Sequence, residues 1–139
     1  MVVAAARSHG EAPVLYGDWI APGAVVVSIG STIPQQREID VSVVERSDLV
    51  VCDVLDEVLD STGDMIAARD AGVDVRSKAV SLTDLVKGAC REQLQSVRNP
   101  MFKSVGSGFQ DVVTAELVLT RALESGLTVP LPLTFETKD

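Results

Sequence analysis

The strongest constraint on the fold lies in residues 101–126, where a short apolar strand runs into the longest helix that the sequence offers. Ser107 is a favourable N-cap, and Gln110 completes a capping box in which each side chain satisfies a backbone N–H group of the other. Gly126 ends the helix, because glycine enters the left-handed conformation without a Cβ clash. These residues predict a strand, a tight turn and a well-bounded helix.

The helix carries apolar residues on two faces. One face is formed by Val112, Ala115, Val118, Leu119, Ala122 and Leu123. The other is formed by Phe109, Val113 and Leu117. A helix that is apolar on two faces is expected to be covered from two sides.

The turn before the helix, residues 103–108, contains two glycines and points backbone N–H groups towards a helix N-terminus. Such a turn favours a phosphate, a carboxylate or an amide oxygen. The alternative is a tight strand-to-helix turn that holds no ligand, and the local pattern leaves both open.

Three upstream runs are apolar and rich in β-branched residues, at positions 2–6, 24–30 and 49–53. Such runs are typical of strands buried on both faces of a parallel sheet. Short helices are predicted over 41–46, twice within 54–69, and over 82–90 with Ser81 or Thr83 as the cap, while 72–79 is predicted as a loop. The alternation predicts an α/β fold, the later part of a doubly wound parallel sheet followed by a long C-terminal helix. Prolines make residues 129–133 an extended tail.

Composition and charge exclude several classes of function. The 139 residues include 12 Lys and Arg against 20 Asp and Glu, a net charge of −8, and the basic residues are scattered. This pattern argues against a nucleic-acid partner or an anionic membrane surface. No apolar run approaches the roughly 20 residues that span a bilayer, so we expect a cytoplasmic protein.

Metal and thiol chemistry find little support in the sequence. Cys52 and Cys90 lack any ligand spacing and are predicted to be free, buried thiols rather than a disulfide or a metal site. His9 is predicted to be an exposed loop residue. Glu38, Asp64 and two further acids, Asp40 and Asp53, lie at element ends, where carboxylates are usually solvated or capping.

Seven short motifs then occur in an order that matches one family. They are Pro13-Val14-Leu15, Trp19 before Pro22-Gly23, Ile29-Gly30-Ser31 with Pro34, Arg37-Glu38-Ile39-Asp40, Val51-Cys52-Asp53, Gly63-Asp64, and Phe102-Lys103-Ser104-Val105-Gly106 through Gln110-Asp111. Together they resemble the C-terminal half of the ornithine cyclodeaminase/mu-crystallin family, over nearly the whole chain.

The resemblance implies a Rossmann-like domain that binds NAD or NADP and acts on a small amino acid or cyclic imine by cyclodeamination, amino-acid dehydrogenation or ketimine reduction. It places Val105 and Gly106 on the substrate side. The cofactor-binding residues that it implies are Ile29, Gly30, Ser31 and Ser104. These residues follow strands, at the carboxyl edge where α/β sheets bind ligands.

Departures from the family pattern bear on catalysis. Thr32 stands where cyclodeaminases place an acid/base aspartate, and a hydroxyl cannot exchange a proton near neutral pH as a carboxylate can. Mu-crystallin-like members also carry a hydroxyl there, so Thr32 favours reductase or binding roles. Gln36 replaces a frequent lysine, and alanines at positions 4–6 replace threonine near the cofactor.

The sequence contains no G-x-G-x-x-G loop to hold a pyrophosphate. We therefore expect the C-terminal part of an enzyme, with residues 1–106 as a partial NAD(P)-binding domain and 107–139 as a helix and tail. A homo-oligomer, or a partner that supplies the N-terminal half, is expected to complete it. The alternative is a catalytically silent fragment that acts as a binding or oligomerisation module.

Overall fold

The chain forms two compact units, Met1–Gly106 and Ser107–Asp139. The computed structural model describes residues 1–6, 12–130 and 132. The predictions for His9 and for two tail residues, Leu131 and Leu133, lie outside the described residues.

The first unit is built on a sheet of five parallel strands. They are β1 (Val2–Ala4), β2 (Val26–Ser28), β3 (Leu49–Cys52), β4 (Ala79–Ser81) and β5 (Pro100–Lys103), in the spatial order β1-β2-β5-β3-β4. The last strand in the described part of the chain therefore lies between β2 and β3. The predicted α/β fold with a parallel sheet is confirmed.

Five short helices connect these strands. They are α1 (Val41–Arg46), α2 (Leu55–Ser61), α3 (Gly63–Asp70), α4 (Leu82–Val86) and α5 (Arg91–Leu94). Single 3-10 turns lie at Gly17–Trp19 and Arg76–Lys78. Asp40 is the N-cap of α1, and its carboxylate accepts a hydrogen bond from the Ser42 N–H, as expected for a capping acid.

Two sequence predictions in the middle of the chain were wrong in detail. The predicted loop 72–79 includes the first residue of β4. The three residues of β4 are only partly buried and form no apolar run, so the sequence carries no clear strand signal there. The predicted helix 82–90 ends at Val86 instead, because the chain turns through Gly88 at φ +81° before α5 begins. Ser81 is the cap of α4, accepting from the Asp84 N–H.

The core surrounds β3, whose four residues are all buried. Val26, Ile39, Val44 and Met101 belong to the same apolar cluster. Cys52 and Cys90 are both buried and free, as the sequence predicts. Burial, and next the charge of Asp53, raise the pKa of the Cys52 thiol to about 12, so the group stays neutral.

The second unit contains α6 (Gly108–Glu124). The predicted N-cap and helix end are confirmed, since the Ser107 hydroxyl accepts from the Gln110 N–H at 3.3 Å and Gly126 adopts φ +66°. None of its residues is buried, and Phe109 is 79% exposed. The expectation that two apolar faces are covered is therefore not met by residues of this chain that the structure describes.

No helix within the described ranges is both long and apolar enough to cross a membrane.

Gly63, at the start of α3, allows the segment after β2 to pack directly against this helix. A Cβ at this position would lie 2.2 Å from the Gln36 carbonyl oxygen and 2.6 Å from that of Pro34. The Gly63 N–H also donates to the Ile33 carbonyl oxygen. Backbone therefore approaches backbone here, and only glycine leaves enough room.

We expect Gly63→Ala to lower the free energy of unfolding by at least about 2 kcal/mol, because the clash is with backbone that cannot rotate away. Urea unfolding followed by circular dichroism measures the change. Gly108→Ala is the matched control, since its Cβ would meet no atom within 4 Å. Equal stability of the Gly63→Ala variant and the native chain would contradict this close packing.

Candidate functional site

The carboxyl ends of four strands meet along one edge of the sheet. Ser28, at the end of β2, is in register with Ala4 of β1 and with Lys103 of β5. Lys103 is in turn in register with Cys52 of β3. Residues that follow these strands therefore share an edge, and this edge holds every site residue that the sequence predicts.

The turn 104–106, after β5, is clasped by the carboxylate of Asp53, which follows β3. Asp53 Oδ2 accepts from the Ser104 hydroxyl at 2.7 Å and from the Gly106 N–H at 2.8 Å. Its Oδ1 accepts from the Val105 N–H at 3.2 Å and from the Val54 N–H at 2.8 Å. One side chain thus holds the three residues of the turn against the neighbouring strand end.

This clasp changes what the turn can bind. The N–H groups of Val105 and Gly106, which the sequence suggests for an external anion, already donate to Asp53. A phosphate or carboxylate ligand would have to displace that carboxylate and overcome its negative charge. The turn as folded is therefore suited to a neutral group rather than to an anion.

Asp53 is held in its ionised form. Burial by itself would raise the pKa of its carboxyl, but hydrogen bonds from Ser104, Val54, Gly106 and Val105 outweigh that effect and hold the pKa below its ordinary 3.8. An ionised carboxylate only accepts hydrogen bonds, so the Ser104 proton is fixed towards Asp53. The Ser104 oxygen also accepts from the Gly106 N–H at 3.1 Å. A hydroxyl oxygen has two lone pairs, so one is left for a donor on a ligand.

The segment 29–32, after β2, presents its residues differently. Ile29 is 44% exposed, whereas Ser31 is buried and its hydroxyl donates to the Gln36 carbonyl oxygen at 2.6 Å. Thr32 is half-buried, and its N–H lies 3.4 Å from the Gln36 side-chain oxygen. The segment can therefore offer an apolar side chain at Ile29, a hydroxyl at Thr32 and backbone groups between them.

Gly30 is crowded from inside the protein. A Cβ there would lie 2.2 Å from Glu38 Oε1 and 2.7 Å from the Ala6 carbonyl oxygen. Its N–H donates to Glu38 Oε2 at 2.9 Å. The glycine is thus required by the approach of the Glu38 carboxylate, whether or not a ligand is bound.

Beneath this edge lies a buried network of three charged side chains. Lys103 Nζ donates to Asp64 Oδ2 at 2.7 Å, and both side chains are 0% exposed. Asp64 Oδ1 accepts from the N–H groups of Glu38 and Ile39. The Glu38 carboxylate accepts from the Ser28 hydroxyl at 2.8 Å.

The sequence interpretation of two of these acids was wrong. Glu38 and Asp64 are fully buried and hydrogen-bonded, not solvated or capping residues. Lys103 is named in the sequence analysis only as part of the motif 102–106, with no role of its own. The available signal was its position at the end of the apolar run that begins with Met101 and Phe102, where an unpaired lysine is too costly to bury.

Two cavities lie away from this edge. One of about 100 Å³ lies at the amino ends of β2, β3 and β5 and is lined by Pro22, Val43, Arg46 and Asn99 among others. The other, of about 230 Å³, is lined by residues of α2, α3 and the segment that follows α3. Within the described ranges, no group of three or more His, Cys, Asp or Glu side chains could hold a metal ion.

Comparisons with known proteins match the chain at both the sequence and the fold level. The ketimine reductase mu-crystallin of Macropus fuliginosus is 32% identical over 106 residues, which cover 76% of this chain and 31% of that protein. The chain therefore spans about a third of the length of the curated relatives that it matches.

Two solved structures share the fold. A probable ornithine cyclodeaminase from Bordetella pertussis Tohama I is 33% identical with a TM-score of 0.71, over 93% of this chain and 41% of that one. The Thermococcus litoralis Delta(1)-pyrroline-2-carboxylate reductase, solved with NADH and L-proline, is 30% identical with a TM-score of 0.69, over 88% of this chain and 38% of that one. These neighbours confirm the Rossmann-like fold class.

The family profile matches residues 1–126, which is most of the chain. The order of the motifs, the parallel sheet and this match agree with one another. The chain belongs to the ornithine cyclodeaminase/mu-crystallin family.

Proposed function

We propose that this chain contributes the nicotinamide-facing and substrate-facing side of an NAD(P)-dependent site that acts at an amine-bearing or imine carbon. The observation that supports it is the strand-end cluster, in which Asp53 clasps the turn 104–106 at the edge shared with segment 29–32. The substrate class is a small amino acid or a cyclic imine, and the cofactor is NAD or NADP. The substrate class and the cofactor are inferred from the relatives, among them a reductase solved with NADH and L-proline.

The nicotinamide end of the cofactor fits this edge better than its phosphates do. The Ser104 hydroxyl donates a hydrogen bond to Asp53 and keeps a lone pair, which suits the N–H₂ donor of a carboxamide. The charge of Asp53 disfavours a phosphate at the same turn. The sequence has no glycine-rich phosphate loop, so the pyrophosphate is assigned to residues outside this chain.

Each predicted site residue receives a role that its surroundings permit. Ile29 provides an exposed apolar surface for the nicotinamide ring, while Gly30 and Ser31 act through their backbone, because the Ser31 side chain is buried. Val105 and Gly106 face the substrate from the turn 104–106. When bound, NAD(P)H would supply a hydride to an imine carbon, and NAD(P)+ would accept one from an amine-bearing carbon.

Thr32 favours imine reduction over cyclodeamination. Its hydroxyl can orient a water molecule or a substrate nitrogen, but it cannot act as the carboxylate base that cyclodeaminases place at this position. The relatives named above include a ketimine reductase and a pyrroline-carboxylate reductase. Ketimine reduction is therefore the favoured reaction, in the cytoplasm and without a nucleic-acid or membrane partner.

A second candidate function is a catalytically silent module for binding or self-association. It is supported by the apolar residues of α6, where Val112, Leu119 and Leu123 are each more than half exposed. Apolar surface of this kind marks an interface when it is contiguous. A homo-oligomer, or a partner that supplies the remaining part of the enzyme, would cover it.

Isothermal titration with NADH and NADPH tests the favoured function. We expect micromolar binding by the chain when it is mixed with the part of a family enzyme that lies outside the matched region. Ser104→Ala should weaken binding about 3- to 10-fold, which is the usual contribution of one neutral hydrogen bond. Ser96→Ala is the control, because its hydroxyl donates to the Gln93 carbonyl oxygen on an exposed helix end.

The two variants make the binding result decisive. A loss confined to Ser104→Ala supports a carboxamide contact at the turn. Equal affinity for both variants removes Ser104 from the cofactor site. No binding of either nucleotide by the mixture, together with no change in nicotinamide absorbance when a cyclic imine is added, contradicts the proposed enzyme.

The Asp53 clasp also predicts a pH dependence of stability. Because its pKa is lowered in the folded state, Asp53 adds stability that is fully present above its ordinary pKa of 3.8 and is lost as the pH falls through the lower folded value. Asp53→Asn should therefore cost about 1 kcal/mol of unfolding free energy at pH 7, after allowance for solvent screening. The difference should shrink only below about pH 4.

Urea unfolding of both proteins between pH 7 and pH 3 measures this difference. Asp70→Asn is the control, since its carboxylate lies in an exposed ion pair with Arg69 and its loss should cost little unfolding free energy at any pH. If the loss of unfolding free energy caused by Asp53→Asn stays constant down to pH 3, the loss of the Asp53 charge is not its cause.

Light scattering coupled to size-exclusion chromatography tests self-association through α6. If the exposed residues form an interface, the native chain should run as an oligomer, and Leu119→Glu with Leu123→Glu should convert it to a monomer. Thr114→Glu adds a charge at a polar position of the same helix and should leave the mass unchanged. A monodisperse monomer of the native chain at every concentration would count against this second function.

A further inference from the structure

We propose that Lys103, together with Asp64 and Glu38, is a positioning device that fixes the backbone of segment 29–32 for the cofactor and substrate. Its role as a cofactor contact rests on the proposed function, whereas its effect on the backbone can be tested without any ligand. None of the three side chains needs to touch the ligand, since all are buried beneath the edge.

The network is complete as an arrangement of donors and acceptors. Lys103 Nζ uses its three protons on Asp64 Oδ2 at 2.7 Å, on Ser28 Oγ at 2.9 Å and on the Ser31 carbonyl oxygen at 2.9 Å. Both oxygens of Glu38 and both oxygens of Asp64 accept hydrogen bonds. The hydrogen-bond donors and acceptors match when the lysine is charged and both carboxylates are ionised, so no acceptor needs an added proton.

Among the described residues, the network holds five backbone groups, and two of them lie in segment 29–32. Glu38 accepts from the N–H groups of Gly30 and Ala6, at 2.9 and 2.7 Å. Lys103 holds the carbonyl oxygen of Ser31, and Asp64 holds the N–H of Glu38 itself. The network therefore fixes segment 29–32 at both of its inner residues and ties it to the ends of β1 and β5.

Stability alone does not explain such a network. Burying ions is expensive, and apolar residues of similar volume often give equal or greater stability than a buried ion pair. A buried, fully bonded network does, however, specify one geometry, because any displacement leaves a charge without its partner. A reactive site at this edge requires precise placement of segment 29–32, because a displacement of about 1 Å at a reacting site can lower the rate on the order of 100-fold.

The position of Lys103 links the two halves of the candidate site. Lys103 ends β5, and the next residue, Ser104, is the proposed carboxamide contact. Side chains alternate along a strand, so Lys103 reaches into the protein interior while its neighbour serves the edge. One strand end thus sets the turn 104–106 and segment 29–32 in a fixed mutual arrangement.

The double variant Lys103→Met with Asp64→Asn separates positioning from folding. It leaves one carboxylate, so the net charge of the network stays at −1, and the Asn oxygen can still accept from the Glu38 and Ile39 N–H groups. Met has a volume similar to that of Lys, and Asn to that of Asp, so we expect the double variant to fold. The carbonyl oxygen of Ser31 loses its lysine, and segment 29–32 should then sample other conformations.

Amide hydrogen exchange followed by NMR measures that freedom directly. We expect exchange at Gly30 to accelerate at least about tenfold in the double variant, relative to the Val51 amide in the buried strand β3 as an internal reference. NADH affinity of the complemented chain should fall by a similar factor. Lys78→Met is the matched control, because Lys78 Nζ donates to the carbonyl oxygens of Val44 and Glu45, away from this edge.

Each outcome decides the proposal. Unchanged exchange at Gly30 in the double variant overturns it, as does equal acceleration in Lys78→Met. If the double variant does not fold, Glu38→Gln keeps the Lys103–Asp64 pair but puts an N–H₂ donor against the Gly30 or Ala6 N–H, and the same acceleration at Gly30 is required. If the native chain binds no NADH while exchange still accelerates, the proposed function fails and the positioning role stands.

Discussion

The ion pair between Lys103 and Asp64 is the interaction on which the rest of the candidate site depends. It lies at the carboxyl end of the central strand β5, fully withdrawn from solvent. Asp64 uses its second oxygen to orient the backbone of Glu38, and the Glu38 carboxylate in turn holds Gly30. Loss of either partner would leave an uncompensated charge inside the protein, at a typical cost of 3–5 kcal/mol.

A third carboxylate, Asp53, holds the turn 104–106 in place, as the buried network holds segment 29–32. The two devices differ in exposure, because Asp53 is partly open to solvent while Glu38 and Asp64 are not. Both use the same principle, in which a carboxylate accepts several backbone N–H groups and so converts flexible chain into a defined surface. The two segments that follow β2 and β5 are therefore held in a fixed geometry at this edge of the sheet.

Much of the fold could be predicted from the sequence, because β2, β3 and α6 carry strong local signals in their apolar runs and caps. The strand β4 could not, since its three residues become a strand only by pairing with β3. The buried roles of Glu38 and Asp64 also escaped prediction. Lys103, the partner of Asp64, is 39 residues from it in the chain, and local sequence does not show which distant charge a carboxylate will meet.

NMR mapping of NADH binding tests the central claim most directly, using amide chemical shifts of the isotopically labelled chain mixed with the part of a family enzyme that lies outside the matched region. If this edge receives the nicotinamide, the largest shifts should fall on segment 29–32 and the turn 104–106, with Asp53 still bonded to Ser104. Shifts confined to other parts of the sheet, or displacement of Asp53 from the turn by a phosphate, would contradict it.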